Sequence, residues 1–458
     1  MSYSISDLRT SCKGTVCEPG DEGYDYSKWA PNATIPCKVV VTPEETEDIA
    51  KAIKFARSQS LPIAVRGGGH SSSTASATEG LLIDLRKMNT IRVDEDAKIG
   101  YIQPGALICD IEVETIKYGL GACVGVCSQV SIGGYTVGGG IGYSTGAHGL
   151  AADNLISATV VLANGEIVEA NEAKNADLLW GIRGGGSNFG ILAELRVKLH
   201  PQRADAYAIS YTYPPTKIKE VVEEINRWRQ VQKVHETVFM LISLGPDKQP
   251  YILVNGISNS TQEEGEAAFK RFLDLGPVQI INVQIPWAAA CNLTNDMNRV
   301  PGGKLFCGGH IDVFDAAQVQ KSYEAWEEMV KRAPKSLLMY EFYHYGKVAE
   351  LPMEHAAFAQ RHELMTVLCA CMGIGDDYIP DARDELLKLR SIVSASSSKD
   401  AQESLGYANY GDLFCTLNET DEYAKKIFGS NYPRLKEIKK KYDPDMVFNR
   451  WFAIQTAD

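Results

Sequence analysis

Apolar residues in the first 200 positions come in short runs and one-faced stripes that end abruptly at glycine. Ile49, Ala52, Ile53 and Ala56 recur at helical spacing behind Thr42-Pro43-Glu44-Glu45. There an N-cap Thr, a Pro at the first helical position and a capping-box Glu coincide, which predicts a helix over 43–60. The next run, 62–65, breaks into Arg66-Gly67-Gly68-Gly69-His70 and reads as a strand entering a glycine turn. Ten glycines lie between Gly121 and Gly149, a density that no helix or sheet interior tolerates, so they serve tight bends or exposed backbone. Runs 157–162 and 166–170 flank Asn164-Gly165 as a hairpin, and Arg183-Gly184-Gly185-Gly186 precedes a strand over 192–199 that stops before Pro201.

Beyond Pro201 the pattern changes. Ile218, Val221, Val222, Ile225 and Trp228 share one helical face, Thr261-Gln262-Glu263-Glu264 opens another helix with a capping box, and strand-like runs over 251–254, 278–284 and 337–343 alternate with them. This shift predicts a boundary near residue 200 and a second α+β unit after it. The length of 458 residues, more than one core ordinarily supports, agrees with two units. Near the end, Leu435 and Ile438 at helical spacing make the lysines of KEIKKK (436–441) the solvated face of a helix.

Composition narrows the function more than the fold. No apolar run reaches bilayer length, so no membrane span is expected. The net charge of -12 speaks against nucleic acid, whose binding rests on Lys and Arg neutralising phosphates, and favours a neutral or weakly charged small molecule. Eleven scattered cysteines are an odd number and not a disulfide scaffold. The opening MSYSISD lacks a basic-then-apolar leader, which points to a cytoplasmic protein. Glycosylation-type triplets at Asn32, Asn259, Asn292 and Asn418 leave open a secreted one whose leader was removed.

Three glycine clusters beside strands suggest backbone N–H groups turned toward a phosphate-bearing ligand. The common nucleotide motifs fail letter by letter: GxxxxGK[ST] is absent, and neither Gly138-Gly139-Gly140 nor Gly184-Gly185-Gly186 extends into GxGxxG. His235-Glu236 and His362-Glu363 lack the second His of HExxH, and no cysteine pairs have zinc spacing, so no metal is implied. Gly142-Tyr143-Ser144-Thr145-Gly146 does match the GxSxG of serine hydrolases. That elbow needs a buried strand before it and a helix after it, and the glycine-rich surroundings of Ser144 lack that context.

RGGGH (66–70), GVCSQVSIGGYTVGGGIGY (125–143), GLAADN (149–154), DLLWGIRGGGSNFGI (177–191), YANY (407–410) and NYPRLKEIKKKYDPDMVF (431–448) together resemble the berberine bridge enzyme-like oxidases of the vanillyl-alcohol-oxidase group. The likeness is dense over 35–201 and 405–450 and thin between. It implies an α+β fold: a two-lobed FAD-binding domain built from 1–201 and a returning segment 405–458, with a substrate domain over 202–404 whose antiparallel sheet is covered by helices. It also implies bicovalent FAD, bonded to His70 at the flavin 8α-methyl and to Cys127 at C6, with Cys123 off the motif. Arg66, Gly67, Gly68, Gly69, Ser71, Val130, Gly133, Gly134, Tyr135, Gly138, Gly139, Gly140, Gly142, Ile191 and Asn449 carry over as cofactor-binding positions. Val130 falls at the oxygen-gating position, which implies O2 as electron acceptor and H2O2 as product. Tyr135 stands where many relatives have histidine; it can hydrogen-bond the flavin but cannot carry positive charge, so tuning of the reduced ring is left open.

Elementary chemistry agrees with the two attachment points. Imidazole and thiolate both add to a flavin, the thiolate if its surroundings lower its pKa, and two bonds fix the ring enough to permit an open cleft for bulky substrates. The catalytic base by resemblance is Tyr410. If YANY is a strand, Tyr407 and Tyr410 point to opposite faces and only one meets the pocket. An ordinary tyrosine pKa of about 10 is too high for a base at neutral pH, so a neighbour must lower it. The glutamate base of the alkaloid-forming relative should lie over 364–372, where no carboxylate occurs, so that enzyme's ring closure is not expected. Glu341, Tyr343 and His344 are reserve pocket residues. The expected activity is hydride transfer from a small organic substrate to FAD in secondary metabolite biosynthesis. A secreted carbohydrate or alcohol oxidase, a flavin-loaded binding protein without turnover and a GxSxG hydrolase are the rivals.

Overall fold

The structure, a computed structural model, describes residues 4–363, 365–414 and 420–457. Its first sheet has four strands in the spatial order Thr15–Cys17, Val39–Thr42, Leu81–Asp84 and Ile63–Arg66, the last three parallel. Parallel strands need a crossover, and helix Thr46–Ser58 supplies it between Val39–Thr42 and Ile63–Arg66, on either side of Leu81–Asp84, burying Ile49, Ile53 and Ala56. This helix starts later than the 43–60 pattern predicts. Thr42 stays in its strand opposite Thr15, and the carboxylate of Asp48, not the Thr42 hydroxyl, collects the amides of Lys13, Gly14 and Glu44.

A second, antiparallel sheet runs Ile91–Asp94, Ile99–Ile102, Ile191–Lys198, Leu155–Val161, Ile167–Ala170. The Asn164-Gly165 turn joins the last two strands in sequence, with Gly165 at φ +78° as that turn requires.

The third sheet has seven antiparallel strands in the order Gln279–Pro286, Asp205–Tyr213, Pro250–Ser258, Glu236–Leu244, Leu337–Phe342, Met365–Ile374, Gly303–Ile311. Period-two alternation divides its side chains. Val238, Met240 and Ile242 pack with Trp228, Phe272 and Trp326 of the covering helices Ile218–Arg229, Gln262–Leu273 and Ala316–Val330. Phe239, Leu241, Leu337, Met339 and Leu368 point the other way and pack with Ile141, Tyr143 and Leu150 of the glycine-rich stretch. The α+β class read from the sequence is the one found. Among the described residues no helix is long and apolar enough to cross a membrane.

Helix Tyr432–Tyr442 corrects the reading of KEIKKK as wholly solvated. Lys440 and Lys441 are exposed, but Lys439 is fully buried, its ammonium donating to Asn188 O (2.7 Å), Phe448 O (2.6 Å) and the Asp443 carboxylate (2.7 Å). It occupies the i+4 position from Leu435 and therefore the inward stripe.

Candidate active site

The strand Ile63–Arg66 delivers the chain into the turn 67–71, with Gly69 at φ +69°. Arg66 itself turns inward. Its guanidinium pairs with Asp84 at 2.7 Å and donates to the carbonyls of Asp25 and Ser27, so it pins the 25–27 loop and lies off the cavity lining. Gly68 N donates to Ser131 Oγ at 2.6 Å, tying the first glycine turn to the second glycine stretch.

Gly67, Gly68, Gly69, His70 and Ser71 form part of the lining of one cavity, with Cys127, Val130, Gly133, Gly134, Tyr135 and Gly138 from the second glycine stretch and Ile191 from the third. A Cβ at Gly134 would meet nothing within 4 Å, so its backbone opens directly on the cavity. Gly139, Gly140 and Gly142 are not on this lining. A Cβ there would fall 2.6 Å from the Phe358 ring, 2.5 Å from Ala151 and 1.9 Å from Val124 O respectively, so these three are glycine for packing. Asn449 is half-buried and also off the lining. The structure thus gathers thirteen of the eighteen expected site residues and leaves out Arg66, Gly139, Gly140, Gly142 and Asn449.

His70 is stacked on Trp29, ring centroids 4.2 Å apart and 17° between planes, with Nε2 3.8 Å from Cys127 Sγ. Burial, and after it the Lys304 ammonium, push the His70 imidazole down to about 4, so it is neutral at pH 7. Burial pushes the Cys127 thiol up, contrary to the lowered value that nucleophilic addition suggested; His70 is the base within reach of its proton. Trp29 was invisible in the sequence pattern. It sits in a loop without periodicity, held by Trp29 Nε1 donating to Asn298 O at 2.5 Å and Lys304 Nζ donating to Trp29 O at 2.9 Å.

YANY is not a strand. Ala408–Tyr410 forms one 3-10 turn, and Tyr407 and Tyr410 both reach the cavity lining, ring centroids 5.2 Å apart. What separates them is hydrogen bonding. The Tyr407 oxygen accepts from Gly140 N (3.1 Å), Ile141 N (3.3 Å) and Asn409 Nδ2 (2.7 Å) and anchors the turn. The Tyr410 hydroxyl donates to Glu341 Oε1 at 2.9 Å. Burial, then the neighbouring Glu341, push Tyr410 well up, so no neighbour lowers it; instead a carboxyl group is placed to receive its proton. Glu341 is 2% exposed and burial pushes it to about 8, against the pull of the Tyr410 hydrogen bond.

The strand Met365–Ile374 carries no carboxylate, as expected, and Leu364 lies outside the described residues. Its neighbour supplies one: Glu341 pairs with Thr366 and shares a strand face with the cavity-lining Leu337 and Met339. Of the other reserve residues, Tyr343 packs against Phe239 in the apolar cluster and His344 accepts from Gly346 N; neither lines the cavity. Ser144 precedes a four-residue helix, Thr145–His148, with no strand leading into it, so the hydrolase elbow is absent.

The residues present fit a flavin dinucleotide. Glycine turns expose backbone amides, two nucleophilic side chains stand together, and the Ser76 and Tyr135 hydroxyls are buried without a hydrogen-bond partner on or beside that lining.

Comparison with known proteins supports the same cofactor. Residues 37–171 match the FAD binding domain family and 406–454 the berberine and berberine-like family. The chain is 31% identical to the FAD-linked oxidoreductase pgmH of Aspergillus terreus over 99% of this chain and 96% of that protein. It is 30% identical to an FAD-linked oxidoreductase of Dictyostelium discoideum over 96% and 94% of the two chains. Among solved structures, 6-hydroxy-D-nicotine oxidase of Arthrobacter nicotinovorans superposes with a TM-score of 0.84 over 99% of both chains at 21% identity. Berberine bridge enzyme of Eschscholzia californica gives 0.84 over 98% of both at 22%. At those identities the structures speak to fold alone.

Proposed function

The chain belongs to the berberine bridge enzyme-like FAD-linked oxidoreductases, and on that premise we propose that it is an oxidase converting a small alcohol to its carbonyl, with FAD held through His70 and Cys127 and O2 reduced to H2O2. The observation that carries this reading is the Tyr410–Glu341 hydrogen bond, 2.9 Å, at the cavity that also holds His70 and Cys127. FAD when bound supplies the hydride acceptor. The Tyr410 oxygen takes the proton of the substrate hydroxyl while its own proton passes to Glu341, so the substrate loses one hydride and one proton. Tyr407 keeps the 408–410 turn in register beneath it. His70 and Cys127 would hold FAD covalently, each giving up its N–H or S–H hydrogen for a bond to the flavin in place of a flavin hydrogen, with O2 as the acceptor of the two electrons and two protons released. Val130 is on the cavity lining, where its short side chain would let O2 approach.

We place the enzyme in secondary metabolism and in the cytoplasm. Two of the glycosylation-type triplets are engaged internally, Asn32 with the backbone of Lys304 and Asn259 with Gln202; Asn418 lies outside the described residues.

Denaturing gels under ultraviolet light, with a peroxide assay over a panel of alcohols and sugars, test the proposal. A wild-type band that fluoresces, dims in His70→Ala and Cys127→Ala, and is dark in the double variant, together with peroxide from at least one substrate, is the expected result. Fluorescence without peroxide from any of them returns the flavin-loaded binding protein; a dark wild-type band sinks covalent attachment.

A further inference from the structure

The sheet side of the cavity is one continuous apolar patch. Leu337 and Met339 come from one strand, Leu368 and Met372 from its neighbour and Phe306 from the next; Met339 stands opposite Leu368, and Leu337 and Phe306 both stand opposite Ala370. Among the described residues the whole lining carries no Asp, Glu, Lys or Arg side chain. The side-chain N–H and O–H donors of Thr294, Asn298 and Asn409 on this side are already engaged. The Thr294 hydroxyl donates to Val126 O, Asn298 Nδ2 donates to Thr294, Asn409 Nδ2 donates to Tyr135 O and to Tyr407, and the Tyr407 oxygen accepts three N–H groups. Tyr410 alone presents its hydroxyl at a place where a proton can be passed on.

Such a wall discriminates by what it fails to supply. A charged substrate would lose hydration with no counter-charge to replace it, and a sugar would bury most of its hydroxyls without partners. An apolar ring system loses nothing, and two unbranched methionines adapt to its shape. We infer that the substrate is an uncharged, ring-bearing, largely apolar alcohol that brings one hydroxyl to Tyr410 and buries its rings against Phe306, Met339, Leu368 and Met372. This deepens the oxidase reading and rests on it.

The test uses the flavin-loaded enzyme with naphthalen-2-ylmethanol, benzyl alcohol, glucose, cellobiose and 6-(hydroxymethyl)-2-naphthoate as probes. Binding is read as a perturbation of the flavin absorbance and turnover as its bleaching without oxygen. The naphthyl alcohol should bind about tenfold or more tighter than benzyl alcohol, from the extra ring buried, while the sugars and the naphthoate leave the spectrum unmoved. Met339→Gln should lower naphthyl alcohol affinity while Met339→Leu restores it, the flavin spectrum alone staying as in wild type in both. Sugars or the naphthoate binding as well as the naphthyl alcohol, or the naphthyl alcohol failing to perturb the spectrum, would overturn the inference. Binding without bleaching leaves the substrate class standing and removes the oxidase reading instead, a distinction made independently by whether dithionite-reduced enzyme returns its electrons to O2.

Discussion

Tyr410 and Glu341 divide between them a task that neither performs alone. A tyrosine with raised pKa is a poor base, but one that can hand its proton on becomes a good one, provided Glu341 is a carboxylate. Burial holds Glu341 at about 8, so below that pH it is neutral and the relay is closed. The turnover rate should therefore rise with pH to a plateau above about 8. In Glu341→Gln, which cannot accept a proton, the rise should vanish and the rate fall by ~10² or more. A pH profile of anaerobic flavin bleaching checks this, and an unchanged profile in the glutamine variant would remove Glu341 from the mechanism. The motif reading reached Tyr410 and His70 because each sits in a short string with a fixed local role. Glu341 was only a reserve because its part depends on strand register, which puts it opposite Thr366 and beside Tyr410, 69 positions away in sequence. Trp29 has the same obscurity. Its stack on His70 rests on a loop held by Arg66, Lys304 and Asn298. Trp29→Ala should accordingly slow the growth of gel fluorescence after FAD is added to flavin-free protein, while Trp29→Phe restores most of it.

At the scale of elements, glycine density announced a cofactor cradle but could not say which glycines face it. The absence of a Cβ is needed both where backbone meets a ligand and where backbone meets backbone, and the letter is the same. Gly134 and Gly142 separate the two cases. Gly134 has open space at its Cβ and lies in helix Ile132–Val137, so Gly134→Ala should leave the stability of flavin-free protein unchanged or raise it by up to about 1 kcal/mol, read as an unchanged or higher melting temperature, while reducing FAD uptake. Gly142→Ala would drive a methyl within 1.9 Å of Val124 O and should destabilise by about 1–3 kcal/mol or more. Equal effects of the two on melting would contradict this division. The amphipathic helices and the strands of the second unit were legible because their periodicity is set by a two-sided core. The start of helix Thr46–Ser58 and the turn at Ala408–Tyr410 were not, because a sheet partner claims Thr42 and hydrogen bonds from Gly140 and Ile141 fix Tyr407.

Across the whole molecule, the site shares its chemistry with a second buried acid. Glu112, on helix Ile108–Thr115, accepts from Trp287 Nε1 at 2.7 Å where the turn Trp287–Asn292 of the substrate side meets the FAD side, and burial pushes it too to about 8. For both acids the folded value lies above the unfolded one of about 4.3. Each therefore contributes stability that is complete below about pH 4.3, declines through the interval between and is gone above about 8. Inside that window the slope approaches about 1.4 kcal/mol per pH unit for each group. Catalysis and folding thus pull Glu341 in opposite directions: the relay opens only as the folded carboxyl loses its proton near pH 8, where the fold has already given up most of that proton's contribution. Glu112 has no such conflict, since it touches neither the cavity nor Tyr410. Glu112→Gln should then flatten the fall in thermal midpoint between pH 5 and 8.5 and leave the pH dependence of turnover intact. Glu341→Gln should flatten both. If the Glu112 variant also shifts the turnover profile, the two acids titrate as one system and the proton relay extends across the contact between the two sides.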